Sequence, residues 1–304
     1  MHKNKFFADI SLLFVAFIWG ATFVVVQNAI SFIEPHTFNA VRFFIASILL
    51  WTWIIFFQRK QLSLINQKLI LAGCILGFWL FIGYAFQTIG LLYTTSSKAG
   101  FITGLSVVLV PLFSWLFFKL KLTPFAIAGI SIATIGLYLL TMTGPVGVNI
   151  GDVFVFICAI GFSFHIICTG QYTKLYPALL LTVIQITTVT FLSFICSFLF
   201  ERWELAFQIN VLFKSDVILA ILITSIFATA LSFFIQTYVQ KYTSPSHTAL
   251  IFAMEPVFAA LTAYLWVGER LHIAGLIGCI CIFVGMVFSE IPWKKKGKSS
   301  LTLT

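Results

Sequence analysis

The stretch PSHTALIFAMEPVFAALTAYLWVGERL, Pro245 to Leu271, decides how this chain is read. It is apolar and long enough to cross a bilayer as a helix, yet it carries the pair Glu255–Pro256 near its middle. A carboxylate at membrane depth costs roughly 2.5–3.5 kcal/mol on insertion scales, so it normally faces a cavity or a partner. Pro256 has no N–H to offer the carbonyl of Phe252, which predicts a local break and a freed acceptor beside the acid. An acid beside an unwound turn at mid-depth is where transporters hold solutes or coupling ions. The plainer reading is a protonated or neighbour-paired Glu that joins helices.

The rest of the chain agrees with a membrane setting. Of its 304 residues 61% are hydrophobic and only 9% charged, and the mean hydropathy is +1.07, which excludes a soluble globular domain. Lys3 and Lys5 before an apolar run imitate a secretory signal, but the run continues from Ile10 past Trp19 to about Ile30 without a persuasive cleavage site and reads as a retained span. The net charge of +9 comes from basic residues scattered through short loops and the C-terminal KKKGK, so topology explains it better than nucleic acid does. The six cysteines, Cys74, Cys158, Cys168, Cys196, Cys279 and Cys281, all fall in apolar runs, make no zinc or disulfide pattern and read as small packing residues.

Apolar runs near 9–30, 37–57, 69–92, 96–118, 124–143, 151–170, 177–200, 216–240, 245–267 and 271–291 predict ten spans. The longest loop, Glu201 to Ser215, reads as interfacial with Trp203 as an anchor. With both ends on one side, the loops on that side hold 13 Lys and Arg residues and the opposite loops hold 4, namely Lys98, Arg202, Lys214 and Arg270. This asymmetry predicts cytoplasmic termini, with residues 292–304 as a basic cytoplasmic tail.

A repeat is visible at an offset of 143: Asp9 aligns with Asp152, Trp19 with Phe162, Thr22 with His165 and Arg42 with Gln185. Pro35 meets Pro177 one residue out of step. Further on, Tyr93-Thr-Thr-Ser-Ser97 resembles Tyr242-Thr-Ser-Pro-Ser246, and VLVPLFSWLF around Pro111 resembles AMEPVFAALT around Pro256. Five spans per repeat is an odd number, so the halves 1–143 and 151–291 insert in opposite orientations. The fold class expected is an all-α membrane protein of ten transmembrane helices in a 5+5 inverted repeat, with Pro111 and Pro256 as paired helix breaks or hinges.

Several polar and aromatic groups inside the spans are candidates for substrate or ion binding. Arg42 must pair with an acid, bind carbonyls or contact an anionic solute. His165 either relays protons and meets solute or makes a neutral bond between helices. Gln87, Gln185 and Gln236 carry amides that serve either substrate or packing. Trp19, Trp79, Tyr84 and Phe101 offer aromatic walls for an apolar or cationic body. Small residues four apart, Ala16/Gly20, Gly73/Gly77, Gly100/Gly104 and Ala274/Gly278, permit close helix contact within the bundle. Lys98 and Glu269 lie near span ends, where long side chains reach the interface.

FIWGATFVVVQNAI (Phe17–Ile30), NAVRFFIA (Asn39–Ala46), TTSSKAGFITGLSVVLVPLFSWLF (Thr94–Phe117), QTYVQKYTSPSHTALIFAMEPVFAAL (Gln236–Leu261) and GERL (Gly268–Leu271) together resemble the EamA family of ten-span permeases in the drug/metabolite transporter superfamily. Their order and spacing cover both repeats. The resemblance implies a central cavity formed by spans one to four and six to nine, with spans five and ten packed outside, and export or exchange of small metabolites, amino acids or drugs across a bacterial cytoplasmic membrane. Trp19, Arg42, Pro111, Glu255, Pro256 and Glu269 stand where the family pattern has them, whereas His165 and Gln185 depart from the symmetry of Thr22 and Arg42.

A secondary transporter is therefore expected, with a small-molecule substrate and the lipid bilayer as partners, proton coupling and facilitated diffusion both open, and no cofactor or metal. The chain has no phosphate-binding Gly-x-x-x-x-Gly-Lys-Ser/Thr loop, no His-Glu-x-x-His and no Gly-x-Ser-x-Gly, which argues against an ATPase or a membrane-embedded enzyme. A channel or a non-transporting membrane protein is the alternative. Opposite charges on Arg42 and Glu255 among aromatic walls favour an amphiphilic solute, an amino acid first. Whether Glu255 ionises depends on two effects: apolar surroundings disfavour a charged carboxylate and a nearby cation such as Arg42 favours it.

Overall fold

The computed structural model describes residues 2–94, 96–119, 122–141, 149–208, 214–267 and 273–289, and every regular element among them is helical. In chain order they are α1 (His2–Ala29), α2 (Pro35–Phe57), a 3₁₀ helix (Arg59–Leu64), α3 (Gln67–Gly90), α4 (Ser96–Gly104), α5 (Ser106–Phe118), α6 (Pro124–Thr141), α7 (Ile150–Tyr172) and α8 (Ala178–Phe200). A short 3₁₀ helix (Trp203–Phe207) leads to α9 (Ser215–Ile223), a π-helix (Thr224–Leu231), α10 (Ser232–Val239), a 3₁₀ turn (Gln240–Tyr242), α11 (Pro245–Phe252), α12 (Glu255–Val267) and α13 (Ile273–Ser289). Seven stretches among the described residues are long and apolar enough to cross a membrane, and α6 and α13 are shorter apolar helices. Large apolar side chains cover the outside: Phe56, Phe200 and Ile273 are 75%, 77% and 77% exposed. So much uncovered apolar surface suits lipid rather than water. Glu269 and residues 292–304 of the expected tail lie outside the described residues.

Local sequence starts these helices. Pro35 and Pro245 each stand at a first helical position, where the missing N–H costs nothing. Ser244 accepts from His247 N at 3.2 Å. Asn149 and Asp152 form a reciprocal capping box that opens α7. The start of α2 is capped from afar: the Glu201 carboxylate, just past α8, accepts from His36 N and Thr37 N at 2.7 Å each.

Side-chain contacts give the helix directions. Tyr84 meets Phe162 while Tyr93 meets Phe154, so α3 and α7 run antiparallel. Thr37 meets Ser197 and Ser47 meets Thr187, so α2 and α8 do too. Asp9 meets His247 and Phe17 meets Phe258, so α1 runs alongside α11 and α12 in the same sense. The end where α1, α8 and α11 begin is called proximal here, and the end where α2, α4 and α7 begin is called distal. At 23 and 24 residues, α2 and α3 separate the two by roughly 35 Å.

α6 packs on α13, α3 on α7 and α8, α2 on α8 and the π-helix, α1 on α10 and α12, and α5 on α7 and α11. The seam between α6 and α13 depends on glycine. A Cβ at Gly136 would lie 2.6 Å from the Gly278 carbonyl oxygen, and one at Gly129 would lie 2.5 Å from that of Gly285. The small residues here repeat at seven rather than at the four of Ala274/Gly278, and a Cβ at Gly100 would meet nothing within 4 Å. Gly136→Leu is expected to force the helices apart and cost about 1–3 kcal/mol, read as a lower melting temperature in detergent.

Candidate substrate site

The helix is interrupted between Phe252 and Glu255. The backbone ladder of α11 ends with Ala253 N bonding Ala249 O at 3.1 Å and Met254 N bonding Ile251 O at 3.0 Å, and α12 resumes with Phe258 N on Met254 O at 3.0 Å. Pro256 has no N–H to offer the Phe252 carbonyl, and among the described residues Val257 N makes no bond to the Ala253 carbonyl. Glu255 begins α12, is half-buried, and its carboxylate has no hydrogen bond or ion pair among the described residues. Gly20 lets α1 lie against this break, since a Cβ there would meet the Glu255 carbonyl oxygen at 2.5 Å and Ala259 N at 2.8 Å.

A second irregularity, which motif reading missed, faces it from span eight. The π-helix Thr224–Leu231 widens the turn, as π segments at functional sites often do. The Ala228 carbonyl is left open to side chains and accepts from Trp19 Nε1 at 2.8 Å and from Arg42 Nη2 at 3.5 Å, while Arg42 Nε donates to Thr229 Oγ1 at 2.6 Å. Hydroxyl-bearing Thr224, Ser225, Thr229 and Ser232, all fully buried, were the available signal. Arg42 is itself 3% exposed and lies over the Tyr84 ring at 4.8 Å. Among the described residues no carboxylate lies within 4.0 Å of its guanidinium. A buried cation held only by neutral groups is costly in isolation, so an anionic ligand group would be strongly favoured beside it.

The Tyr84 hydroxyl lies 3.5 Å from Arg42 Nη2. Cys158 Sγ lies 3.9 Å from Thr103 Oγ1, and Gln87 Nε2 donates to Thr103 Oγ1 at 3.5 Å. Trp19, Gln87, Thr103 and Glu255 are each partly exposed. Trp19 packs on Phe233 at 5.3 Å and Phe252 at 4.9 Å.

Other predicted residues lie elsewhere. Trp79 stacks on Phe164 at 4.5 Å in a cluster continued by Phe113, and Phe101 turns its edge toward Tyr138 on α6. His165 Nε2 bonds Gln185 Oε1 at 2.9 Å, Gln185 Nε2 donates to Thr237 Oγ1 at 3.1 Å, and Gln236 Nε2 donates to Gln240 Oε1 at 3.4 Å. None of His165, Gln185 and Gln236 is more than 2% exposed. Pro111 is not at a break: it lies inside α5, and the interruption of span four falls at Leu105. Lys98 does find a partner, the Asp152 carboxylate at 3.5 Å.

The model of the EamA-like transporter family matches residues 6–142 and again 149–290. The chain belongs to the EamA-like transporter family. Among EamA-like relatives, an uncharacterized transporter of Archaeoglobus fulgidus is 36% identical, over 95% of this chain and 87% of its own length. The uncharacterized transporter YoaV of Bacillus subtilis is 21% identical over 94% of this chain and 98% of its own. A solved structure described as a crystal structure of a protein shares the fold, with a TM-score of 0.75 and 19% identity over 92% of this chain and 95% of that one. This EamA-like chain is thus an integral membrane protein of a transporter family.

Proposed function

We propose that this protein is a secondary carrier that moves small amphiphilic solutes, amino acids foremost, across the cytoplasmic membrane by alternating access. The observation that carries this reading is a pair of charges with no ion-pair partner among the described residues, Glu255 at a helix break and the buried Arg42 held by neutral groups. A zwitterion complements both, with Tyr84 beside Arg42 and Trp19 as an apolar wall. The solute is expected to show saturable counterflow in proteoliposomes, which a channel does not give. If only polyanions compete for uptake, the zwitterion is wrong.

The ten-span inverted repeat belongs to the same proposal. Two successive matches to one family model support it, as does packing that is preserved when the halves are exchanged: α1 against α10 and α12 corresponds to α7 against α3 and α5, and α6 against α13 corresponds to itself. The excess of basic residues on one side supports cytoplasmic termini. Alkaline phosphatase fused after Thr304 is expected to be inactive, and an active fusion would overturn this topology.

A further inference from the structure

The proximal half of the interior is polar but closed. Thr169, Thr173 and Gln236 are 0%, 5% and 1% exposed, and the hydroxyl oxygens of the two threonines and Oε1 of Gln236 have no hydrogen-bond partner among the described residues. Leaving such a group unmet costs roughly 1–3 kcal/mol, so this lining is suited to water. The same region holds the His165–Gln185–Thr237 chain and Gln240, whose Nε2 donates to Ile166 O at 2.5 Å. Its outer edge is the start of α11: a Cβ at Gly170 would lie 2.9 Å from Pro245 Cγ and 3.4 Å from Gln240 Nε2. Two residues beyond Pro245, His247 Nε2 meets Asp9 Oδ1 at 3.0 Å and joins the start of α11 to α1. His247 is only 9% exposed there and Asp9 27%.

The distal end carries a related pair. Asp152 stands where Asp9 does at the offset of 143, and Lys98 follows Tyr93-Thr-Thr-Ser-Ser97 as His247 follows Tyr242-Thr-Ser-Pro-Ser246. Lys98 Nζ lies 3.5 Å from Asp152 Oδ2. Each pair therefore joins an aspartate that opens the first helix of one half to a basic residue that opens the broken helix of the other, one pair at each end.

We propose that the Asp9–His247 contact is the latch of a closed proximal vestibule, which is lined by Thr169, Thr173, Gln236 and Gln240 and takes up water when the latch parts. This rests on the carrier reading, because alternating access requires a polar half of the interior that is closed in one state and opens in the other. The latch holds α11 to α1, and the break at Ala253–Met254 lets α11 swing while α12 stays against Gly20.

The test labels Thr169→Cys with a maleimide, in protein whose six native cysteines are replaced by alanine, and needs neither substrate nor transport. Asp9→Asn is expected to speed labelling by about tenfold, the equivalent of one lost charge-assisted bond. Asp9→Lys and His247→Asp should each speed it, and the two together should return it to the slow rate. Lys98→Met, at the other end, should leave it slow. Equal labelling in Asp9→Asn and its parent, additive effects in the double swap, or equal acceleration by Lys98→Met would each overturn the latch. A protein that labels as expected but shows no counterflow would sink the carrier reading and leave the latch standing.

Discussion

Glu255→Gln is expected to abolish gradient-driven transport, by at least tenfold, while leaving the fold and its melting temperature close to the parent's. The amide keeps the shape of the side chain, and because the carboxylate has no hydrogen bond or ion pair among the described residues, no structural contact is lost. An isolated carboxylate in an apolar span is itself unfavourable, so its neutralisation does not weaken the bundle. What disappears is a group able to hold a proton or the cationic part of a solute beside the open carbonyl of Ala253. Uptake measured across a range of pH should also flatten, since the titrating group has gone. Wild-type rate with an unchanged pH profile would make Glu255 a structural residue and remove it from the site.

Arg42→Met separates a structural arginine from a ligand-binding one. Methionine matches much of the length and volume but carries no charge. Were the guanidinium a structural hub for Thr229 and the Ala228 carbonyl, its loss would leave buried acceptors unmet and lower stability by several kcal/mol. If instead its charge awaits an anionic group, a buried cation with no counter-ion is a burden on the empty protein. Replacing it then leaves the melting temperature nearly unchanged or higher. Transport in that case falls by about ten- to a hundredfold, the worth of a charge-assisted hydrogen bond of roughly 1.5–3 kcal/mol. Thermal unfolding with and without a candidate amino acid measures both quantities, and the ligand-induced rise should vanish in the variant. A large fall in melting temperature together with a retained ligand shift would assign Arg42 to the scaffold.

Composition and the position of apolar runs were enough to identify a helical membrane protein, because a bilayer demands long apolar segments that satisfy their own backbones. Proline chemistry was enough to locate the break beside Glu255, since the missing N–H of Pro256 acts over one turn and needs no distant partner. The same logic failed at Pro111, which lies within α5 while the interruption falls at Leu105. There, packing of span four against α7 and α6 outweighed the local preference. Only tertiary structure decided the partners of the polar residues. The Ala228 carbonyl becomes a partner for Trp19 and Arg42 through the π-helix, and nothing in TSIFATAL dictates a wider turn. His165, Gln185 and Gln236 look in sequence like Gln87 and Glu255, yet they are fully buried while the latter pair is partly exposed. The helical period fixes which residues share a face, but the depth at which two halves touch depends on contacts such as Gly20 with Glu255 and Asp9 with His247, more than 200 residues apart in the chain.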